Sequence, residues 1–248
     1  MNLPNTITVG RIFATPLIVT LVINAGWQTR ASAWVLYVIA AVTDYVDGKL
    51  ARDRNLVTNL GKLLDPLADK LLLIATLFPM YWLTRDVAAF SSLPPANSWA
   101  ADNIVGPILA AEGDTRLAFP FVTPFGLVGL PVWVLLVVIG REVFMTLFRQ
   151  IAARRGVIIA AIGPAKLKTT FQSIWVGAAL FWFMAATAAV EHRWTGGAWN
   201  AFAMFNGLVG TVSMIASVGL TLYSLALYLK RYGGVLLRGA GAGHPAAN

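Results

Sequence analysis

The sequence predicts an all-α integral membrane protein, built as a bundle of six transmembrane helices. Two observations lead to this fold class. Of the 248 residues, 58% are hydrophobic and only 12% are charged, which is far from the composition of a soluble domain. Long apolar stretches also recur along the chain. In a bilayer such stretches can remain exposed to lipid, because the bilayer interior is itself apolar.

Six stretches are long enough to cross about 30 Å of hydrocarbon at about 1.5 Å per residue. They lie at 7–25, 33–51, 63–83, 127–149, 168–190 and 203–229. We expect the first to be a permanent helix, because no lysine precedes it and no small-x-small cleavage site follows Ile23-Asn24-Ala25. The expected organisation is one transmembrane domain over 1–232, with an irregular or re-entrant outer loop insertion at 84–126, followed by a mobile tail over 233–248.

The distribution of charge predicts the orientation of the bundle. Basic residues are concentrated at 52–62, at 150–168 and after residue 229, whereas 84–126 and 191–202 are acidic or nearly neutral. By the positive-inside rule, the basic connections are cytoplasmic and both termini lie inside. The expected location is a bacterial cytoplasmic membrane, which the chain crosses several times.

The overall balance of residues excludes several classes of function. The net charge of +8 comes from short basic segments between apolar stretches, where anionic lipid headgroups, and not nucleic acid, are the natural partner. The chain contains no cysteine, so disulfides, thiolate nucleophiles and thiolate metal sites are excluded.

Four aspartates flank the connection between the second and third predicted helices. Asp44 and Asp47 are three residues apart and share one face of a helix. On the next helix, Gly61, Asp65 and Asp69 recur every four residues, so these acids also stack on one face. A short hairpin would bring the two acidic faces together at the cytoplasmic side.

Clustered carboxylates at a membrane boundary repel one another and are costly to desolvate unless a cation lies among them or some are protonated. Hard oxygen ligands with no histidine or cysteine nearby favour Mg²⁺ or Mn²⁺, and four acids are enough to hold two ions. A phosphate or pyrophosphate substrate is then implied. Carboxylates also serve cation or proton transporters, but transport gives no reason for Gly48, Ala51 and Arg52 at fixed offsets from the acids.

The complete pattern, D-x2-D-G-x2-A-R-x8-G-x3-D-x3-D over residues 44–69, resembles the signature of the CDP-alcohol phosphatidyltransferase family. The resemblance implies that Asp44, Asp47 and Asp65 ligate metal and that Asp69 accepts a proton and also serves as a ligand. It further implies a homodimer and a set of residues around the CDP-diacylglycerol donor. That set is Gly48, Ala51, Arg52, Thr58, Gly61, Asn5 and Thr8. Asn5, Thr8 and Arg11 could equally cap the first helix and meet lipid headgroups.

The residue inventory agrees with a carboxylate base. His192 and His244 fall in a predicted outer loop and in the tail, so neither would reach a cytoplasmic site. The expected reaction is in-line attack by an acceptor hydroxyl on the lipid-linked phosphorus of CDP-diacylglycerol, with CMP leaving.

Basic residues at the cytoplasmic ends of the predicted fourth and fifth helices indicate an acceptor that carries phosphate. Lys166 and Lys168 enter a helix N-terminus, where backbone N–H groups already favour an anion. Up to about residue 175, the chain resembles the family members whose acceptor is glycerol 3-phosphate, although their glycine usually directly precedes the first lysine, where this chain has Gly163-Pro164-Ala165. The residues expected to bind the acceptor phosphate are Arg141, Lys166, Lys168 and Arg11. Inositol phosphate, inositol and serine are the alternative acceptors.

Overall fold

The structure is a computed structural model, and it describes residues 3–24, 26–53, 58–85, 118–160, 163–192, 194 and 197–234. Most of the predicted outer insertion and of the C-terminal tail lies outside these residues. Within helices, the side chains of Asp47, Ala51 and Arg52 are also outside the description.

Six helices make up most of the described chain. They are α1 Leu3–Ile23, α2 Trp27–Asp53, α3 Asn59–Arg85, α4 Val132–Arg154, α5 Gly163–His192 and α6 Gly197–Tyr232. Four of the predicted spans lie wholly inside a helix, which confirms the helical periodicity of α2, α3, α5 and α6. Most helices run past the predicted spans, because their polar ends continue as regular helix beyond the apolar stretch.

Three of the described helices are long and apolar enough to cross a membrane. Their spans are Asn5–Ile23, Gly163–Ala189 and Gly197–Tyr232. The remaining helices, α2, α3 and α4, carry charged residues such as Asp44, Asp69 and Arg141 along their length. The predicted site aspartates and Arg141 therefore lie on helices that are less apolar than their neighbours, whereas Arg11 and Lys168 lie on the apolar helices α1 and α5.

A short β-hairpin corrects the expected boundary between the outer loop and the fourth helix. Strands β1 (Ala118–Thr123) and β2 (Gly126–Leu130) pair antiparallel, so the predicted helix at 127 begins instead at Val132. The turn between the strands has Pro124 at its second position and Gly126 at its fourth, as type I turns prefer. This hairpin is the exception to the all-helical prediction among the described residues.

The hairpin is fixed by a close contact with α6. Phe121 of β1 is buried, and its ring lies where a Cβ on Gly210 would have to be. Glycine at position 210 therefore leaves the room that the aromatic ring fills.

The chain divides into two compact units. The first comprises residues 1–132 and 173–213, and within it α1 packs against both α2 and α3. The second comprises residues 133–172 and 214–248, and its buried core contains Met145, Phe148 and Tyr228.

Candidate active site

The predicted site residues of the first unit begin at the start of α3, where Thr58 caps the helix. The Thr58 hydroxyl accepts a hydrogen bond from the backbone N–H of Gly61 at 3.0 Å, which is the usual N-cap arrangement. The same hydroxyl meets the side-chain amide of Asn5 on α1: it lies 2.9 Å from Nδ2, from which it can accept, and 3.0 Å from Oδ1, to which it can donate. This contact joins the N-terminal ends of α1 and α3.

One turn further along both helices, α1 binds the first aspartate of α3. The Thr8 hydroxyl donates to Asp65 Oδ1 at 2.8 Å. Thr8 is buried, whereas Asp65 is exposed. Thr8 therefore orients one side of a carboxylate that stays exposed among the described residues.

Arg11 of α1 lies between the acids of α2 and α3. Its Nη1 donates to Asp44 Oδ1 and to Asp69 Oδ1 at 3.2 Å. The Arg11 side chain is only 2% exposed, while those of Asp44 and Asp69 are 41% and 54% exposed. A buried guanidinium thus holds two carboxylates that remain accessible, and the predicted meeting of the two acidic helices is observed for these residues.

The described acids form a cluster with more negative than positive charge. Asp69 interacts electrostatically with both Asp44 and Asp65 as well as with Arg11. No three acidic or histidine side chains among those described form a ready-made metal site, and Asp47, the fourth predicted ligand, is not among the described side chains. The chemistry of the donors, accessible carboxylate oxygens without sulfur or imidazole, nevertheless fits a hard divalent cation such as Mg²⁺ or Mn²⁺.

The remaining donor-site predictions concern the end of α2. Gly48 is partly buried in this helix, and Ala51 and Arg52 follow it within the same helix. Because α2 is continuous through Asp53, residues 44, 47, 48 and 51 share the predicted face of the helix.

In the second unit, the predicted acceptor cations meet a carboxylate. Glu142 Oε1 accepts from Arg141 Nη1 at 2.9 Å and from Lys168 Nζ. Arg141 and Lys168 are both buried, and Arg141 Nη2 also donates to Ser224 of α6 at 3.3 Å. Lys166, by contrast, is exposed, so the two cations that the structure brings together are Arg141 and Lys168.

Sequence reasoning missed three residues of this cluster. The sequence pattern did not single out Glu142, Ser224 or Tyr228. Arg149 Nη2 donates to the Tyr228 hydroxyl at 3.5 Å, and its guanidinium lies 5.9 Å from the ring centroid. The only available clue was that Glu142 is a rare acid inside an apolar stretch.

Comparison with known proteins identifies the family. Residues 1–223 match the CDP-alcohol phosphatidyltransferase family, and the chain belongs to it. The resemblance carried by the motif over residues 44–69 is therefore confirmed.

Individual relatives carry more specific names. A CDP-diacylglycerol–glycerol-3-phosphate 3-phosphatidyltransferase of Bacillus subtilis is 31% identical over 72% of this chain and 76% of its own length. A chloroplastic/mitochondrial protein of the same activity name from Arabidopsis thaliana is 28% identical over 96% of this chain. The chain spans 65% of that Arabidopsis relative. A cardiolipin synthase (CMP-forming) of Oryza sativa is 26% identical over 96% of this chain and 59% of its own length.

The contacts of Arg11 predict how the metal-free protein responds to loss of this cation. Replacing Arg11 with Met leaves Asp44 and Asp69 facing one another without their shared partner, and we expect a loss of about 1–3 kcal/mol of stability, since the carboxylates are only partly desolvated. Thermal unfolding in detergent with EDTA measures this loss. Because Mn²⁺ can neutralise the same acids, its addition should raise the melting temperature of Arg11→Met more than that of the wild type.

Arg154→Met removes an exposed arginine and is the control for charge loss alone. An Arg11→Met protein that melts with the wild type in EDTA would contradict the placement of Arg11 among the acids.

Proposed function

We propose that this chain is a membrane enzyme that transfers the phosphatidyl group of CDP-diacylglycerol to glycerol 3-phosphate, giving phosphatidylglycerophosphate and CMP. The observation that carries the proposal is the convergence of Asp44, Asp65 and Asp69 from two helices on α1, within a chain that belongs to the CDP-alcohol phosphatidyltransferase family. The names of the Bacillus and Arabidopsis relatives support the choice of donor and acceptor.

Asp44, Asp47, Asp65 and Asp69 are the residues that would hold divalent metal, proposed to be two Mg²⁺ or Mn²⁺ ions. Metal dependence is general in this family. Bound there, the ions would neutralise the negative charge of the donor pyrophosphate. Gly48, Ala51 and Arg52, on the same helix as two of the acids, are proposed to line the nucleotide, since the small residues leave space and the arginine supplies positive charge.

Asp69 is the proposed general base. Its carboxylate is accessible and is oriented by Arg11 from the buried side, so it can accept the proton of an incoming hydroxyl. The hydroxyl oxygen then forms a bond to the phosphorus that carries diacylglycerol, the bond from that phosphorus to the CMP oxygen breaks, and CMP leaves with the electron pair. No covalent enzyme intermediate is required.

The charge of the second unit supports an acceptor that carries phosphate. Arg141 and Lys168 share Glu142, and Arg149 acts electrostatically on Lys168. Three cations and one carboxylate leave two positive charges uncompensated. A phosphate monoester carries about −1.5 to −2 at neutral pH, so it matches this excess, whereas inositol or serine would not.

The arrangement in the membrane is also part of the proposal. Besides the three apolar spans, we propose that α2, α3 and α4 cross the bilayer, with the carboxylates at the cytoplasmic side and both termini inside. Relatives come from bacteria and from plants; the bacterial cytoplasmic membrane is part of the proposal, and the charge distribution bears only on the orientation within it. A homodimer is proposed on the family resemblance alone.

Release of CMP by the purified protein tests the proposed reaction. With CDP-diacylglycerol and Mg²⁺, glycerol 3-phosphate should give CMP and phosphatidylglycerophosphate, while inositol, inositol phosphate and serine should give no more CMP than buffer. Phosphatidylglycerol belongs in the panel, because the rice relative is named a cardiolipin synthase. Turnover with another acceptor and none with glycerol 3-phosphate would overturn the acceptor assignment.

The role of Asp69 predicts a selective defect. Asp69→Asn keeps the size of the side chain but cannot accept the hydroxyl proton, so kcat should fall by about 10²–10⁴-fold, while the affinity for CDP-diacylglycerol stays close to that of the wild type. Glu191→Gln, an acid-to-amide change at an exposed position, is the matched control. Wild-type turnover by Asp69→Asn would remove this residue from its role as the base.

The role of Lys168 predicts a defect in acceptor binding. Lys168→Met removes a buried cation, and losing a charged hydrogen bond of about 1.5–3 kcal/mol should raise the KM for glycerol 3-phosphate by about 10- to 100-fold, with the donor KM within about twofold. Lys230→Met, at an exposed lysine of α6, controls for the loss of positive charge. A raised donor KM with an unchanged acceptor KM would contradict the assignment.

A further inference from the structure

We propose that the β-hairpin, formed by β1 and β2, is a membrane anchor whose turn inserts the ring of Phe125 among the lipids of the outer leaflet. The inference rests on the membrane arrangement given under the proposed function, and it adds a lipid contact that plays no part in the reaction. Three observations carry it: which part of the hairpin is buried, how the backbone of the turn is hydrogen-bonded, and where along the helices the hairpin is held.

The hairpin buries one face and leaves its turn uncovered. Phe121, Thr123 and Leu130 are buried, and the Phe121 ring lies against Gly210 of α6. At the turn, Phe125 is 93% exposed, more than any other large hydrophobic residue that the structure describes. The protein therefore holds an aromatic ring outward on a turn whose two strands are fixed.

The backbone of the turn is suited to surroundings that are poor in water. Pro124 has no N–H, the N–H of Phe125 donates to the Thr123 hydroxyl at 3.3 Å, and Gly126 pairs with Thr123 across the hairpin. An unsatisfied backbone donor is costly in an apolar medium. Because the protein itself satisfies the donors of this turn, the turn can enter the boundary between headgroups and hydrocarbon at little cost.

The length of α6 places the hairpin at that boundary. A hydrocarbon core of about 30 Å takes about 20 residues of helix. Counted back along α6 from Lys230, at its basic cytoplasmic end, this length reaches Gly210, the residue on which Phe121 packs.

The length of α4 gives the same level by a separate route. This helix has 23 residues, which is about 34 Å at about 1.5 Å per residue, and its basic end at Arg154 is the cytoplasmic one. Its other end, Val132, therefore reaches the outer boundary of the hydrocarbon. Strand β2 ends at Leu130, directly before this helix, so the chain holds the hairpin at the outer surface of the bilayer.

Lipid is the partner that the neighbouring surface favours. Leu208 and Val212 flank Gly210 on α6 and are exposed, on a helix that is apolar enough to cross a membrane. Trp133, near the start of α4, is also exposed, as is typical of tryptophan at a membrane interface. A single aromatic ring offers at most about 200 Å², whereas a stable protein interface buries about 800 Å² on each partner. The ring of Phe125 is therefore better matched to acyl chains than to a second copy of the protein.

Site-directed spin labelling tests the surroundings of residue 125. The chain contains no cysteine, so Phe125→Cys accepts a single nitroxide. In lipid nanodiscs, electron paramagnetic resonance measures collisions of the label with oxygen, which concentrates in hydrocarbon, and with a hydrated nickel chelate, which stays in water. The ratio of oxygen to nickel collisions at residue 125 should exceed that at a label on Arg155→Cys by about tenfold, because hydrated reagents are excluded from the apolar core.

Two control positions bracket the measurement. Leu136, one turn into α4, is exposed and faces lipid in the proposed arrangement, and Arg155 is an exposed residue directly after the same helix. The ratio at residue 125 should be closer to that at Leu136→Cys than to that at Arg155→Cys. Labelled Phe125→Cys should also release CMP at the wild-type rate, because this exposed residue lies outside the proposed catalytic and binding residues.

Three results would overturn the anchor. A ratio at residue 125 equal to that at Arg155→Cys would place the ring in water. Few collisions with either reagent would show that protein covers the ring, and a spectrum that sharpens on dilution with unlabelled protein would identify that cover as a second copy. A ratio at Leu136→Cys as low as that at Arg155→Cys would contradict the membrane arrangement, and the anchor with it.

Failure of the proposed function would look different. A protein that releases no CMP with any acceptor would refute the proposed reaction, whereas the collision ratios would still decide whether Phe125 lies in lipid.

Discussion

The candidate site depends on the ion pairs that the guanidinium of Arg11 makes with two aspartates. The guanidinium is buried on α1 and holds Asp44 of α2 and Asp69 of α3, so three helices meet at one cation. Without a positive charge, two carboxylates in a largely apolar setting repel each other and drive their helices apart. Arg11 therefore ties the packing of α1 to the geometry of the acids, and the partial exposure of both aspartates leaves them able to bind a further cation.

Each of the two units contains a cluster of charged side chains that is only partly neutralised; the excess charge is negative in the first unit and positive in the second. In the first, one arginine compensates part of the charge of several acids; in the second, Glu142 compensates part of the charge of Arg141 and Lys168. Each cluster keeps an excess of one sign while its buried members remain paired, which limits the cost of burying charge. An acidic excess suits metal and pyrophosphate, and a basic excess suits the phosphate of an acceptor.

The helical periodicity of the sequence predicted the features that depend on a single helix. The stacking of Asp65 with Asp69 and the helical state of residues 44–53 and 59–69 follow from spacing alone, and both agree with the structure. Contacts between helices were harder to foresee. The contacts of Arg11 with Asp44 and Asp69 were not foreseen, because nothing in a single apolar helix shows which of its faces packs on the acids; its binding of the acceptor phosphate stays a prediction. Glu142 was passed over for a similar reason: adjacency to Arg141 does not reveal that its carboxylate also reaches Lys168. Most of β2 was mistaken for the start of a helix, since a short apolar run fits either structure, and β1 lies in the segment that was expected to be an irregular loop.

The most direct test of the central claim is anomalous scattering from Mn²⁺ in crystals of the protein bound to CDP-diacylglycerol. The account predicts anomalous density within coordination distance of the carboxylates of Asp44, Asp65 and Asp69, with the donor pyrophosphate in contact with the same ions. Density located elsewhere, or a bound pyrophosphate far from these three side chains, would contradict it.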